Sequence, residues 1–178
     1  MAVTTKTILW KVDAAHSELL FQVKHLGLTS ITGYFRNFSL EAETEDENFT
    51  HITDIRLAAA ILSVDTNNTL RDDHLRSPDF FDAEQYPRLN FVASAVDRHE
   101  AKTKLEGELT MKGVTRLVTL NVTFAGIVND DRGQTKAGFT IDGVISRHDF
   151  GLTWTNAGDL TVDDSIRLHA SIQLVRQD

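Results

Sequence analysis

The chain has no cysteine among its 178 residues. Disulfides, thiolate metal sites and a thiol nucleophile are therefore excluded. It has only two prolines, Pro78 and Pro87, and no run of Gly, Ser or Pro that would mark a linker. No apolar stretch approaches the roughly 20 residues of a membrane helix, so stable membrane insertion is not expected. The N-terminal residues carry no apolar signal core, which sets the expectation of a cytoplasmic chain. Basic surplus is lacking too. The formal net charge is −8, which argues against nucleic acid as a partner. A length of 178 residues with 41% hydrophobic content fits one domain, 1–178, with a real core.

Period-two alternation is what the chain does have. Val118, Leu120, Val122 and Phe124 share one face, and Thr119, Asn121 and Thr123 the other. Ile166, Leu168, Ala170, Ile172 and Leu174 alternate in the same way with Arg167, His169, Ser171 and Gln173. Similar runs lie near 18–25, 33–43, 54–62, 89–97, 102–111 and 135–146, and 7–12 adds a short leading strand. Polar clusters at Asp46–Asn48, Asp97–Glu100 and Asn129–Gly133 separate them as turns. The pattern predicts an all-β protein, either an antiparallel sandwich or an up-and-down barrel. Small residues recur on the apolar faces: Ala59, Ala93, Ala95, Gly143 and Ala170. Eight strands with small inward side chains leave room for one ligand, whereas a second sheet could supply the missing bulk. Alternation alone leaves both open.

One segment breaks the alternation. Between Ser63 and Phe91 the chain gathers Arg71, Asp72, Asp73, His74 and Arg76, then places Phe80 and Phe81 just after Pro78. A polar insert of this length in a small domain is functional or locally helical. Asp72 and Arg76 stand four apart, the spacing of an ion pair on a helical turn. The aromatic pair needs cover that such a turn cannot give, so the insert is expected to be a lid with Phe80 and Phe81 pointing into the apolar interior. Arg71 and Arg76 are then available to a polar or anionic head group.

The chemistry-bearing residues form no recognisable catalytic set. His16 follows Asp13 in Asp-Ala-Ala-His-Ser, which fits a general base or, equally, a capped turn. Seven histidines occur, none at metal-ligand spacing, so a site from His16, His74 and His148 would need distant segments to converge. Asp149-Phe150-Gly151 copies a kinase tripeptide without the other kinase motifs. With Arg147 it reads as the end of a strand at a rim.

Several ordered motifs together resemble the YceI-like family, the bacterial polyisoprenoid-binding proteins with a lipocalin-like barrel. They run from Asp13-Ala14-Ala15-His16-Ser17-Glu18 through Lys24-His25-Leu26, Gly33-Tyr34-Phe35, Arg71-Asp72-Asp73-His74-Leu75, Asp79-Phe80-Phe81-Asp82 and Tyr86-Pro87. Leu105–Thr115 and Arg147-x-Asp149-Phe150-Gly151-Leu152 complete the series. Ala14 and Leu117 stand where that family often has proline. The resemblance implies an extended eight-stranded antiparallel barrel with a short helical insert near its mouth. It also implies non-enzymatic binding of a polyisoprenoid, an isoprenoid quinone or a similar lipid, with no other cofactor and no metal, and a possible homodimer. On shared parity, Phe21, Phe91, Val122, Phe124, Phe139, Ile141 and Ile172 are expected to line the lumen with Phe80 and Phe81. His16, Arg71, Asp72, His74, Arg147 and Asp149 are expected at the polar rim. The alternative is an enzyme acting on a lipid-like substrate, with His16, His74 or Asp149 as acid or base.

Overall fold

Alternation becomes a run of antiparallel strands, each turning one row of side chains inward. A computed structural model describes residues 6–155 and 162–178. Its strands are β1 (Ile8–Val12), β2 (Glu18–His25), β3 (Thr29–Phe35), β4 (Phe38–Thr44), β5 (His51–Ala60) and β6 (Val64–Asp65), then β7 (Arg88–Asp97), β8 (Lys102–Met111), β9 (Val114–Asn129), β10 (Thr135–Ser146) and β11 (Val162–Arg176). Helix α1 (Thr69–Arg76) lies between β6 and β7. The hydrogen-bonded order β1-β4-β5-β7-β8-β9-β10-β11 closes on itself because β11 also pairs with β1. The result is an eight-stranded antiparallel barrel, and closure removes free edges from that ring.

Strand β11 is long enough to carry two neighbours in succession. Its C-terminal residues pair with β1, and Val162–Ser171 pair with β2. The β2-β3-β6 strip thereby extends the wall beyond the closed ring. Sequence alternation ran 33–43 together as one strand, but the structure breaks it at Arg36 and Asn37. There the chain changes partners, from β2 and β6 to β1 and β5. The Arg36 amide donates to the Ser63 carbonyl and the Ala60 amide to Asn37.

Ala95, expected inside, is exposed. It sits at φ 54°, and two residues instead of one separate Ala93 from the next inward side chain, Val96. The opposite strand slips in phase with it, since Ile52 and Ile55 both face the interior. A paired bulge of this kind re-aims the side chains beyond it.

The two ends of the barrel differ. At one end Trp10 is fully buried, its indole N–H donating to Thr44 Oγ1 at 3.0 Å. Phe49 packs on Trp10 at 4.5 Å between centroids and on Phe139 at 4.9 Å. This end is closed. The other end is the mouth, where Trp154, the β8–β9 turn and α1 with the segment after it come together, Lys112 donating to the Pro78 carbonyl and His74 meeting Trp154.

Candidate functional site

Helix α1 forms because Asn68 caps it, accepting the Arg71 amide at 3.0 Å, and because the chain there has left the sheet ladder. Asp72 is buried and accepts from both the amide and the hydroxyl of Thr66, at 2.9 and 2.6 Å. Arg71 donates to Thr66 Oγ1 and to the Thr66 carbonyl, each at 2.7 Å. The expected Asp72–Arg76 pair does not form: Arg76 meets Asp73 at 3.0 Å and the Val64 carbonyl at 2.9 Å. Most of the charge read from the insert thus ties α1 to β6 and to Thr66 just after it.

Behind α1 lies a cavity of about 240 Å³. Its lining is almost wholly aliphatic and aromatic, drawn from both the closed ring and the extension. Leu89 and Val96 of the same strand both border it, so it runs about 23 Å along β7 at 3.3 Å per residue. Of the residues expected to line a lumen, Phe21, Phe80, Phe81, Phe91, Val122, Phe139, Ile141 and Ile172 border this space. Phe124 does not. It shares their parity, but it packs at the closed end, 5.2 Å from Phe139 and 6.1 Å from Phe49, with the Arg98 guanidinium 4.1 Å above its ring.

Glycines opposite the large rings help to keep this space open. Phe21 faces Gly33 across the β2–β3 pair, and a Cβ on Gly33 would lie 2.2 Å from Phe21 Cζ. A Cβ on Gly107 would lie 2.3 Å from Phe91 Cζ. Each ring therefore lies back over a bare backbone instead of standing across the lumen.

The insert closes the mouth with aromatic rings. Phe81 is buried and meets Phe35 edge-on at 6.0 Å. Phe80 packs on His74 at 5.0 Å and on Trp154 at 5.4 Å, and His74 meets Trp154 edge-on at 4.4 Å. His74 Nε2 is 2.9 Å from Asp79 Oδ2. This pair is the ionisable group packed against the aromatic cover.

Arg147 differs from its sequence assignment. It is buried, and its guanidinium donates to the carbonyls of Asp163, Leu152, Trp154 and Val162 at 2.6 to 3.3 Å. Four of its five N–H groups are thus spent on backbone, so it clamps Leu152 and Trp154 to the start of β11 and cannot offer a two-pronged grip to a head group. Burial pushes its pKa below the usual arginine value, against the pull of Asp164 and Asp163. Asp164 is held below the usual carboxylate range, first by the Ser146 hydroxyl, then by the His148 amide and charge and by Arg147, with burial opposing.

His16 is not at the mouth. It sits at the β1–β2 junction, 2.9 Å from Asp13, whose amide donates to Gln173 of β11. Gln173 is eleven residues along β11 from Val162, roughly 36 Å of strand. Asp149 is exposed in the short turn after β10. No described hydrogen bond joins any two of His16, His74 and Asp149, and His148 pairs separately with Asp164 at 3.3 Å. Among the described residues, no three His, Asp or Glu side chains converge on a metal site. Sequence reasoning missed Arg98, which borders the lumen at its closed end. It donates to the carbonyls of Phe49, Asn48 and Glu100, and its only signal was a lone cation in a turn.

A closed antiparallel barrel with one apolar lumen and a helical cover is the architecture of a lipocalin-like protein. The model of the YceI-like domain matches residues 10–174, and the chain belongs to that family. A UPF0312 protein of Staphylococcus epidermidis is 32% identical over 167 residues, covering 90% of this chain and 94% of that protein. Among solved structures, Burkholderia cenocepacia BcnA superposes with a TM-score of 0.78 at 25% identity, over 91% of this chain and 98% of that one. A Campylobacter jejuni YCEI protein gives 0.77 at 29% identity, over 87% and 90%. A polyisoprenoid binding domain from Saccharophagus degradans shares the fold with a TM-score of 0.66 at 14% identity, over 94% and 98%.

Proposed function

We propose that this protein binds a long-chain isoprenoid or a similar amphiphilic lipid, such as an isoprenoid quinone, a prenyl phosphate or a fatty amide, and holds it in the barrel for storage, transport or sequestration. The observation that carries the proposal is the lumen: an apolar cavity that follows β7 for about 23 Å of strand, closed at one end and covered by rings at the other. A flexible chain suits that length, whereas a compact ring system leaves much of it empty. Each CH₂ moved from water into it contributes about 0.8 kcal/mol, so a long tail needs no strong polar anchor. This agrees with a rim where Arg71, Asp72 and Arg147 are engaged with the protein itself. The Saccharophagus domain that shares the fold is described as polyisoprenoid-binding, which supports the same ligand class.

Binding without turnover is favoured over catalysis because the candidate acids and bases stand apart, each with its own partner or exposed. A homodimer is a separate proposal, for sedimentation analysis. The test of lipid binding is a titration of delipidated protein with a fluorescent prenyl analogue. Saturable one-to-one binding, abolished by Ile141→Trp in a variant that keeps its circular dichroism spectrum, is expected. Equal binding to the lumen-filled variant overturns the proposal.

A further inference from the structure

The turn between β2 and β3 is built against local preference. The Leu28 amide donates to the His25 carbonyl at 3.0 Å, and both central residues have positive φ, Leu26 at 55° and Gly27 at 66°. That type I′ arrangement favours Asn-Gly, and a leucine there is strained. Leu26 is also 53% exposed and Leu28 82% exposed, so the interior does not reward either side chain. The tip stands at the mouth end, because His25 pairs with Val162, whose carbonyl accepts from the same Arg147 guanidinium that holds Trp154 of the mouth cover.

A second feature adjoins it. On the outer face behind the tip, a recess of about 210 Å³ is walled by Gln22, Lys24, Ser30, Asp163, Ser165 and Arg167, beside a register shift in β11. Asp163 accepts the Asp164 amide at 2.9 Å. Among the described residues neither Lys24 nor Arg167 has a carboxylate within ion-pair distance. Two cations, two hydroxyls and the Asp163 carboxylate thus flank the recess, with Val144 beside them, directly behind two exposed leucines.

We propose that the β2–β3 tip is a phospholipid-docking element. Leu26 and Leu28 enter the interfacial layer of a bilayer, and Lys24 and Arg167 receive a lipid phosphate in the recess. The net charge of −8 opposes a strongly anionic surface, so the partner is a zwitterionic phospholipid. Docking there sets the mouth toward the membrane, on residues distinct from those lining the lumen.

Flotation with phosphatidylcholine vesicles tests this. The unaltered protein is expected to float with them. Leu26→Asn with Leu28→Ser is expected to bind at least tenfold more weakly, the loss of two buried leucines. Lys24→Gln with Arg167→Gln is expected to bind severalfold more weakly. Leu26→Asn places a preferred residue in the turn, so its melting temperature should not fall and misfolding cannot explain a loss. Affinity for the prenyl analogue without vesicles should be unchanged, which separates this proposal from lumen binding. No flotation of the unaltered protein, undiminished flotation of the leucine variant, or a parallel loss of lumen affinity overturns it.

Discussion

Gly33→Ala tests how the lumen is kept open. The added methyl would stand 2.2, 2.5 and 2.9 Å from Cζ, Cε1 and Cε2 of Phe21, so the ring must move. On one side it meets Phe35 at 5.6 Å, and on the other it borders the lumen, so it swings into the lumen. Overpacking of this kind costs about 1–3 kcal/mol. In a chain of this size each kcal/mol lowers the melting midpoint by about 2–4 °C. The displaced ring also takes volume from a cavity of about 240 Å³, so affinity for a prenyl analogue falls with stability. Phe21→Ala removes the ring, and in that background the methyl has nothing to strike. The double variant should therefore be more stable than the sum of the single losses, with a coupling of roughly 0.5–3 kcal/mol. Thermal melts and analogue titrations of the four proteins supply the cycle. Strict additivity, or a Gly33→Ala variant that melts and binds unchanged, refutes the reasoning.

Three further outcomes are expected. Phe80→Ala should speed release of a bound prenyl analogue in stopped-flow while the melting midpoint changes little, whereas Phe81→Ala, buried against Phe35, should cost about 3–5 kcal/mol in denaturant unfolding. Asp72→Ala strands the amide and hydroxyl of Thr66 and should cost about 2 kcal/mol, with faster hydrogen exchange confined to α1 and the turn before it. Burial opposes ionisation of Asp46, but the amides of Thr50, His51 and Asn48 outweigh it and hold its pKa below 3.8. Its contribution is full above that unfolded value and is lost as pH falls through the lower folded value, so Asp46→Asn should flatten the acid limb of a stability–pH curve below about pH 5.

The strands at 18–25, 102–111 and 135–146 were legible with their bounds, because each alternates cleanly and ends beside a turn, glycine-containing after the first two and polar after the third. Helix α1 was legible as a break in alternation, and Phe80 and Phe81 as rings in need of cover. The phase slip at Ala95 was not: nothing in Val-Ala-Ser-Ala-Val marks a paired bulge, which depends on Ile52 and Ile55 across the ladder. The break at Arg36 and Asn37 was hidden for the same reason, since it is a change of neighbours and carries no proline or glycine. Phe124 had the right parity, but parity fixes the face of a strand and says nothing of depth along the barrel. Arg147 and Arg71 showed charge without destination. Their guanidinium groups end on backbone carbonyls and a hydroxyl, and only the closed fold brings those acceptors together.

The native mass spectrum of delipidated protein mixed with an equimolar long-chain isoprenoid quinone tests the central claim most directly. Lipid binding in the lumen predicts a one-to-one complex that is present for the unaltered protein and lost for Ile141→Trp. A spectrum of free protein alone, or the same complex in both proteins, contradicts it.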